Sequence, residues 1–149
     1  MIPIKHTASI QVGMPGKGPQ INFATAIQVE AYQKIEFVLP TSQPITKKVT
    51  LEANASFLLI KSDLSDEENA VKPKLTLTAV NLKEIDLEMP QLYLGESLLK
   101  SLLSTSAATL EFKLTPADAA TIEAAQKAKK PILDTVKVEI LVGGLAPTS

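Results

Sequence analysis

The stretch ITKKVTLEANASFLLI, residues 45–60, decides the fold. Val49, Leu51, Ala53, Ala55, Phe57 and Leu59 stand at odd positions; Lys48, Thr50, Glu52, Asn54 and Ser56 stand at even ones. An apolar–polar period of two is the mark of a strand buried on one face. At about 3.3 Å per residue the stretch would reach roughly 50 Å as one strand, well beyond the usual ~3–10 residues. Two readings follow. Either the chain bends here from one sheet into another, or it forms a hairpin arm projecting from the body.

The same period extends outward in both directions. Ile4, His6, Ala8, Ile10 and Val12 alternate with Lys5, Thr7, Ser9 and Gln11, and GMPGKGP (residues 13–19) follows as turn chemistry. There Pro15-Gly16 suits a type II turn, because Pro fixes its own φ and Gly accepts a positive one. Ile21, Phe23, Ile27 and Val29 share one parity with Ile35, Phe37 and Leu39, and Glu30–Lys34 interrupts the apolar face between them. Downstream, Leu75, Leu77 and Ala79, then Ile85, Leu87 and Met89, carry the inward face, with a bulge or tight turn at Asn81–Glu84. Leu110, Phe112 and Leu114 point inward from a strand over 108–114; Val136, Val138, Ile140 and Val142 do so from the last strand.

Two segments leave the period. Leu98, Leu99, Leu102 and Leu103 have helical spacing and predict a short helix at about 96–104. Thr115-Pro116-Ala117-Asp118 predicts the start of a second helix at about 116–130, with Thr115 as cap, Pro116 in the first turn and Asp118 in place of the capping-box Glu. Lys127, Lys129 and Lys130 suit its negative C-terminal end, and Pro131 stops it. The expected fold is mainly β: an antiparallel β-sandwich or barrel with these two helices, a single domain over 1–142 and a loose tail at 143–149.

Composition excludes more than it identifies. The chain has 149 residues, 45% hydrophobic and 21% charged, with a formal net charge of −1. It has no Cys, no Trp and one His, and all 15 basic residues are Lys. Absent Cys removes disulfides, thiolate nucleophiles and Cys-ligated metals. Absent Arg removes the bidentate fork for carboxylate, phosphate or guanine. Near-neutral charge lacks the basic footprint of a nucleic-acid binder. No cofactor, nucleic-acid partner or membrane span is expected, nor a signal peptide. The chain is expected to be cytoplasmic as synthesised, with leaderless export or incorporation into a virion or other assembly left open.

Each candidate for chemistry has a plainer reading beside it. His6 lies in phase with the apolar face, where a hydrogen-bonded strand His needs no catalytic partner. Gly13, Gly16 and Gly18 with Lys17 lack phosphate-loop spacing and read as a hairpin loop. Asp63, Asp66, Glu67 and Glu68 lack the glycine and glutamate positions of an EF-hand and read as a solvated loop. Glu84, Asp86 and Glu88 share one strand face; they discourage edge pairing or offer an acidic patch to Lys side chains of a neighbouring subunit. Leu98, Leu99, Leu102 and Leu103 either cover an open end of the sandwich or anchor a partner.

The favoured expectation is a non-enzymatic structural or protein-interaction module, assembling with itself or with a partner protein through β-strand pairing. Its candidate surface is Glu84, Asp86, Glu88, Leu98, Leu99, Leu102 and Leu103. One alternative is a small hydrophobic-ligand or lipid carrier, suggested by the small inward residues Ala8, Ala31, Ala53, Ala55 and Ala79. Another is a virion subunit, such as a capsid decoration or tail tube, an analogy of architecture alone.

Overall fold

The computed structural model describes residues 4–14, 17–29, 31–51, 55–66, 69–103 and 108–144, the first two of these segments through backbone and register. The strands are β1 (Ile4–Met14), β2 (Lys17–Val29), β3 (Ala31–Pro40), β4 (Ile45–Leu51), β5 (Ala55–Ser62), β6 (Lys74–Ala79), β7 (Leu82–Asp86), β8 (Gln91–Leu94), β9 (Ala108–Thr115) and β10 (Thr135–Gly144). The helices are α1 (Glu96–Leu103) and α2 (Ala119–Lys127), and a 3-10 turn covers Asp63–Asp66. Two four-stranded sheets, a front sheet ordered β3-β10-β5-β8 and a back sheet ordered β4-β9-β6-β7, pack face to face; β1 and β2 form a two-stranded sheet of their own. Among the described residues every pairing between these strands is antiparallel. The fold is therefore the expected antiparallel sandwich.

The alternating stretch at residues 45–60 resolves as a sheet-to-sheet crossing. Its first part is β4 in the back sheet and its second is β5 in the front sheet. Residues 52–54, which include Ala53, lie outside the described residues. The crossing does not preserve parity. Gly143 faces Phe57 but Gly144 faces Ala55, so Ser56 is an extra residue in β5, a bulge. Beyond it the even residues point inward. Leu58 and Ile60 are buried, and Leu59, expected inside, lies half-buried on the outer face.

Between the sheets the alternation becomes a core. Val136, Val138 and Ile140 of β10 and Leu58 and Ile60 of β5 meet Leu110, Phe112 and Leu114 of β9 and Leu75 and Leu77 of β6. The Phe37 and Phe112 rings stack edge-to-face at 5.2 Å and 69°, which ties β3 to the back sheet. Met89, expected inside, is 65% exposed, because β7 ends at Asp86 and the chain bends before Pro90. Val80 and Asn81 make the tight turn between β6 and β7, and a register shift between Leu77 and Ala79 adds a bulge there.

Helix α1 closes one end of the sandwich with Leu99 and Leu103. Asn81 satisfies its C-terminal carbonyls: the backbone N–H donates to Leu102 O at 3.3 Å and Nδ2 donates to Ser101 O at 2.8 Å. Helix α2 is shorter than expected. Thr115 is still in β9, paired with Lys74, so the cap falls to Asp118, whose carboxylate accepts the Thr121 N–H at 2.7 Å. The helix ends in a Schellman motif. The Lys130 N–H donates to Ala125 O at 2.9 Å, the Lys129 N–H donates to Gln126 O at 3.2 Å, and Lys129 has φ 55°. Strand β10 continues through Gly143 and Gly144, which the sequence reading assigned to the tail; both are buried and paired on two sides. Residues 145–149 lie outside the described residues.

Candidate functional site

Among the described residues the sandwich has four outer edges, β3, β8, β4 and β7. A free edge offers unpaired N–H and C=O groups to any passing strand, and proteins blunt such edges with charge, brevity, Pro or bulges. Strand β7 has five residues, carries exposed Glu84 and Asp86, and faces a bulge. Strand β8 has four residues and follows Pro90. Strand β4 follows Pro44 and has Lys47 in register with the buried Phe112, a charge on the inward side of the edge. The Lys47 ammonium sits 5.9 Å from the centroid of the Phe37 ring, where the π face accommodates it.

Strand β3 is neither short nor bulged and has no charge on its inward side; its charges, Lys34 and Glu36, are outward and of opposite sign, and its one Pro, Pro40, stands at its end. It runs ten residues in unbroken register with β10, from Ala31 opposite Gly144 to Pro40 opposite Thr135. Its inward positions Gln33, Ile35, Phe37 and Leu39 are uncharged, and Ile35 and Phe37 are half-buried. Its outward positions Lys34 and Glu36 form an ion pair at 2.6 Å. The Glu36 hydrogen bond holds the Lys34 ammonium above the ordinary lysine range. These two charges begin a ladder across the front sheet. Lys137 reaches Glu36 at 3.8 Å and Glu139 at 3.1 Å, and Lys61 reaches Glu139 at 3.2 Å. Its two flanking lysines, Lys137 first, hold the Glu139 carboxyl below the usual range. Beside the ladder, Leu141, Leu59 and Leu92 are neighbours in register, and Lys34, Leu59, Lys61, Glu139, Ile140 and Leu141 line an open depression of about 240 Å³.

The expected surface residues divide. Glu84 and Asp86 lie on edge strand β7, Asp86 3.7 Å from Lys74, while Glu88 lies exposed beyond the end of that strand. Leu99 and Leu103 are buried at 2% and 6%, and Leu102 packs half-buried on the core. Leu98 alone of the four is exposed, at 45%. The Asn81 bonds bring the start of β7 against the end of α1, so the acidic strand and the leucine helix adjoin without forming a cleft.

The other candidates are also placed. The side chain of His6 lies outside the described residues; its backbone pairs with Ile27. Gly13, Lys17 and Gly18 lie in the β1–β2 ladder, which reverses between the paired Met14 and Lys17, and the Pro15-Gly16 turn lies outside the described residues. Asp63 accepts the Lys137 N–H at 3.0 Å and so joins the 3-10 turn to β10. Glu67 and Glu68 lie outside the described residues, and no group of three or more metal-ligating side chains occurs among those described.

Sequence reasoning missed the β3 edge and its ladder. The signal was present as two Lys-x-Glu triplets, Lys34-Ile35-Glu36 and Lys137-Val138-Glu139. On a strand that spacing puts both charges on one face.

No helix among the described residues is long and apolar enough to cross a membrane. No family model, curated protein or solved structure matches the chain.

Proposed function

We propose that this chain is a non-enzymatic structural or protein-interaction module that assembles, with copies of itself or with a partner protein, by β-strand pairing. The observation that carries this reading is the β1–β2 ribbon, whose two strands pair with each other and with no other described strand. An isolated two-stranded ribbon is at best marginally stable in water. The ribbon's register also sorts its residues. Ile4 stands opposite Val29, His6 opposite Ile27, Ala8 opposite Thr25, Ile10 opposite Phe23 and Val12 opposite Ile21, so register positions of one parity are mostly apolar. The other parity pairs Lys5 with Gln28, Thr7 with Ala26, Ser9 with Ala24 and Gln11 with Asn22. Strand β2 reaches back to β5 and β10. A ribbon whose positions of one parity are mostly apolar gains stability when they are covered.

The test is the native mass of the purified chain, by light scattering and native mass spectrometry from micromolar to millimolar concentration. Concentration-dependent oligomers are expected, and deletion of residues 4–29 lowers the oligomer order. A chain that stays monomeric over that range would falsify the reading.

A further inference from the structure

We infer that β3 is a self-complementary edge, pairing antiparallel with β3 of a second copy about a two-fold axis through Ile35. This rests on the proposed assembly by strand pairing and names its edge, register and symmetry.

Three observations converge on β3. It is the longest of the four sandwich edges: ten residues against seven for β4, five for β7 and four for β8. The other three carry features that β3 lacks, namely the like-charged pair Glu84 and Asp86 of β7, the inward Lys47 of β4 and the brevity of β8. The charges of β3 fit a second copy of itself. With Ile35 opposite Ile35, Lys34 of each copy stands opposite Glu36 of the other, and the pair repeats across the axis. The inward face then sets Gln33 opposite Phe37 and continues the apolar layer from one sandwich to the next.

Neighbouring registers are disfavoured. A slip of one residue turns inward positions against outward ones. Centring the axis on residue 34 sets Lys34 against Lys34, and centring it on residue 36 sets Glu36 against Glu36; like charges directly opposite are destabilising. Of the same-face registers centred on residues 34, 35 and 36, the one through Ile35 satisfies both charges. Lys34 and Glu36 are exposed at 60% and 40% in their intrachain pair, so both are accessible to the second copy. The net charge of −1 adds little repulsion between copies. The resulting contact is isologous and closes as a dimer, joining two front sheets into one continuous sheet.

The test is a charge swap read by analytical ultracentrifugation. Lys34→Glu and Glu36→Lys, made singly, are each expected to weaken the dimer about tenfold or more, because each sets like charges opposite at two places. The double variant, Lys34→Glu with Glu36→Lys, restores the pairing in reverse sense and is expected to recover an affinity within about threefold of wild type. Because the chain has no Cys, Ile35→Cys introduces a single thiol, and antiparallel neighbours on an axis lie within disulfide reach. Mild oxidation is expected to yield covalent dimer and nothing larger through that bond. An oligomer that ignores the single reversals, or in which the introduced thiol stays free, overturns this register and leaves assembly through the β1–β2 ribbon standing. A wild-type chain that is monomeric throughout overturns both. Circular dichroism of each variant separates loss of the dimer from loss of the fold.

Discussion

Strands β3 and β7 bound opposite sheets of one sandwich, and their edges are built in opposite ways. Strand β7 is short, bulged against β6 and lined by Glu84 and Asp86, so an approaching strand meets negative charge and an interrupted ladder. Strand β3 is long and regular, with a Lys and a Glu two residues apart. Both strands are half-buried on their inner faces, so burial does not separate them. What separates them is the charge pattern on the edge: two carboxylates disfavour a second copy of the same strand, whereas a Lys and a Glu suit a strand that alternates in return. On β7 Glu84 and Asp86 are both exposed on an outer strand of the back sheet.

The largest expected effect breaks the brace of β3. Phe112 is fully buried and holds β3 through Phe37, so Phe112→Ala is expected to lower unfolding stability by about 3–5 kcal/mol in urea titration. Hydrogen exchange is expected to rise more at Ile35–Leu39 than at Leu82–Asp86; equal loosening of the two edges would refute the brace.

A second change serves as a control that touches neither edge. Lys129 holds a left-handed conformation at the end of α2, and Lys129→Gly is expected to raise stability by about 1 kcal/mol. The oligomer distribution by light scattering should stay as in wild type. A shift in assembly would place α2 in the contact.

The β7 guard can be removed directly. Glu84→Thr with Asp86→Thr is expected to change stability by no more than about 0.5 kcal/mol, because both positions are exposed. The same variant is expected to form species larger than the wild-type oligomer in sedimentation velocity. An unchanged distribution would mean that the carboxylates do not guard the edge.

The mildest test uses pH. The side-chain and backbone hydrogen bonds of Thr121 hold the Asp118 carboxyl below its ordinary range. Its contribution is therefore complete above the unfolded-state value of about 4 and is lost as pH falls through the lowered folded value. Acid should loosen the first turn of α2, seen in amide chemical shifts at Thr121 and Ile122. Asp118→Asn keeps a capping oxygen and should remove that pH dependence.

Much of this structure was legible in the residues themselves. The period of two found the strands, the leucine spacing found α1, and the Ala-rich run before Pro131 found α2 though not its ends, because each of these signals acts within one or two turns of chain. The rest was decided between elements. Thr115 was a plausible cap until its pairing with Lys74 kept it in β9. Leu59 looked buried until the bulge at Ser56 turned it outward. Met89 lost its inward place when β7 stopped at Asp86. The difference between the β3 and β7 edges is likewise a matter of neighbours. Lys-x-Glu and Glu-x-Asp are both ordinary polar spacings in a sequence, and only the strand order made each of them an edge. The sequence by itself determined a mainly β, antiparallel fold, sandwich or barrel, without Cys, Trp or Arg, because alternation and composition are properties of single segments. The tertiary structure decided which strands stand unpaired, because an edge exists only once every other strand has taken its partner.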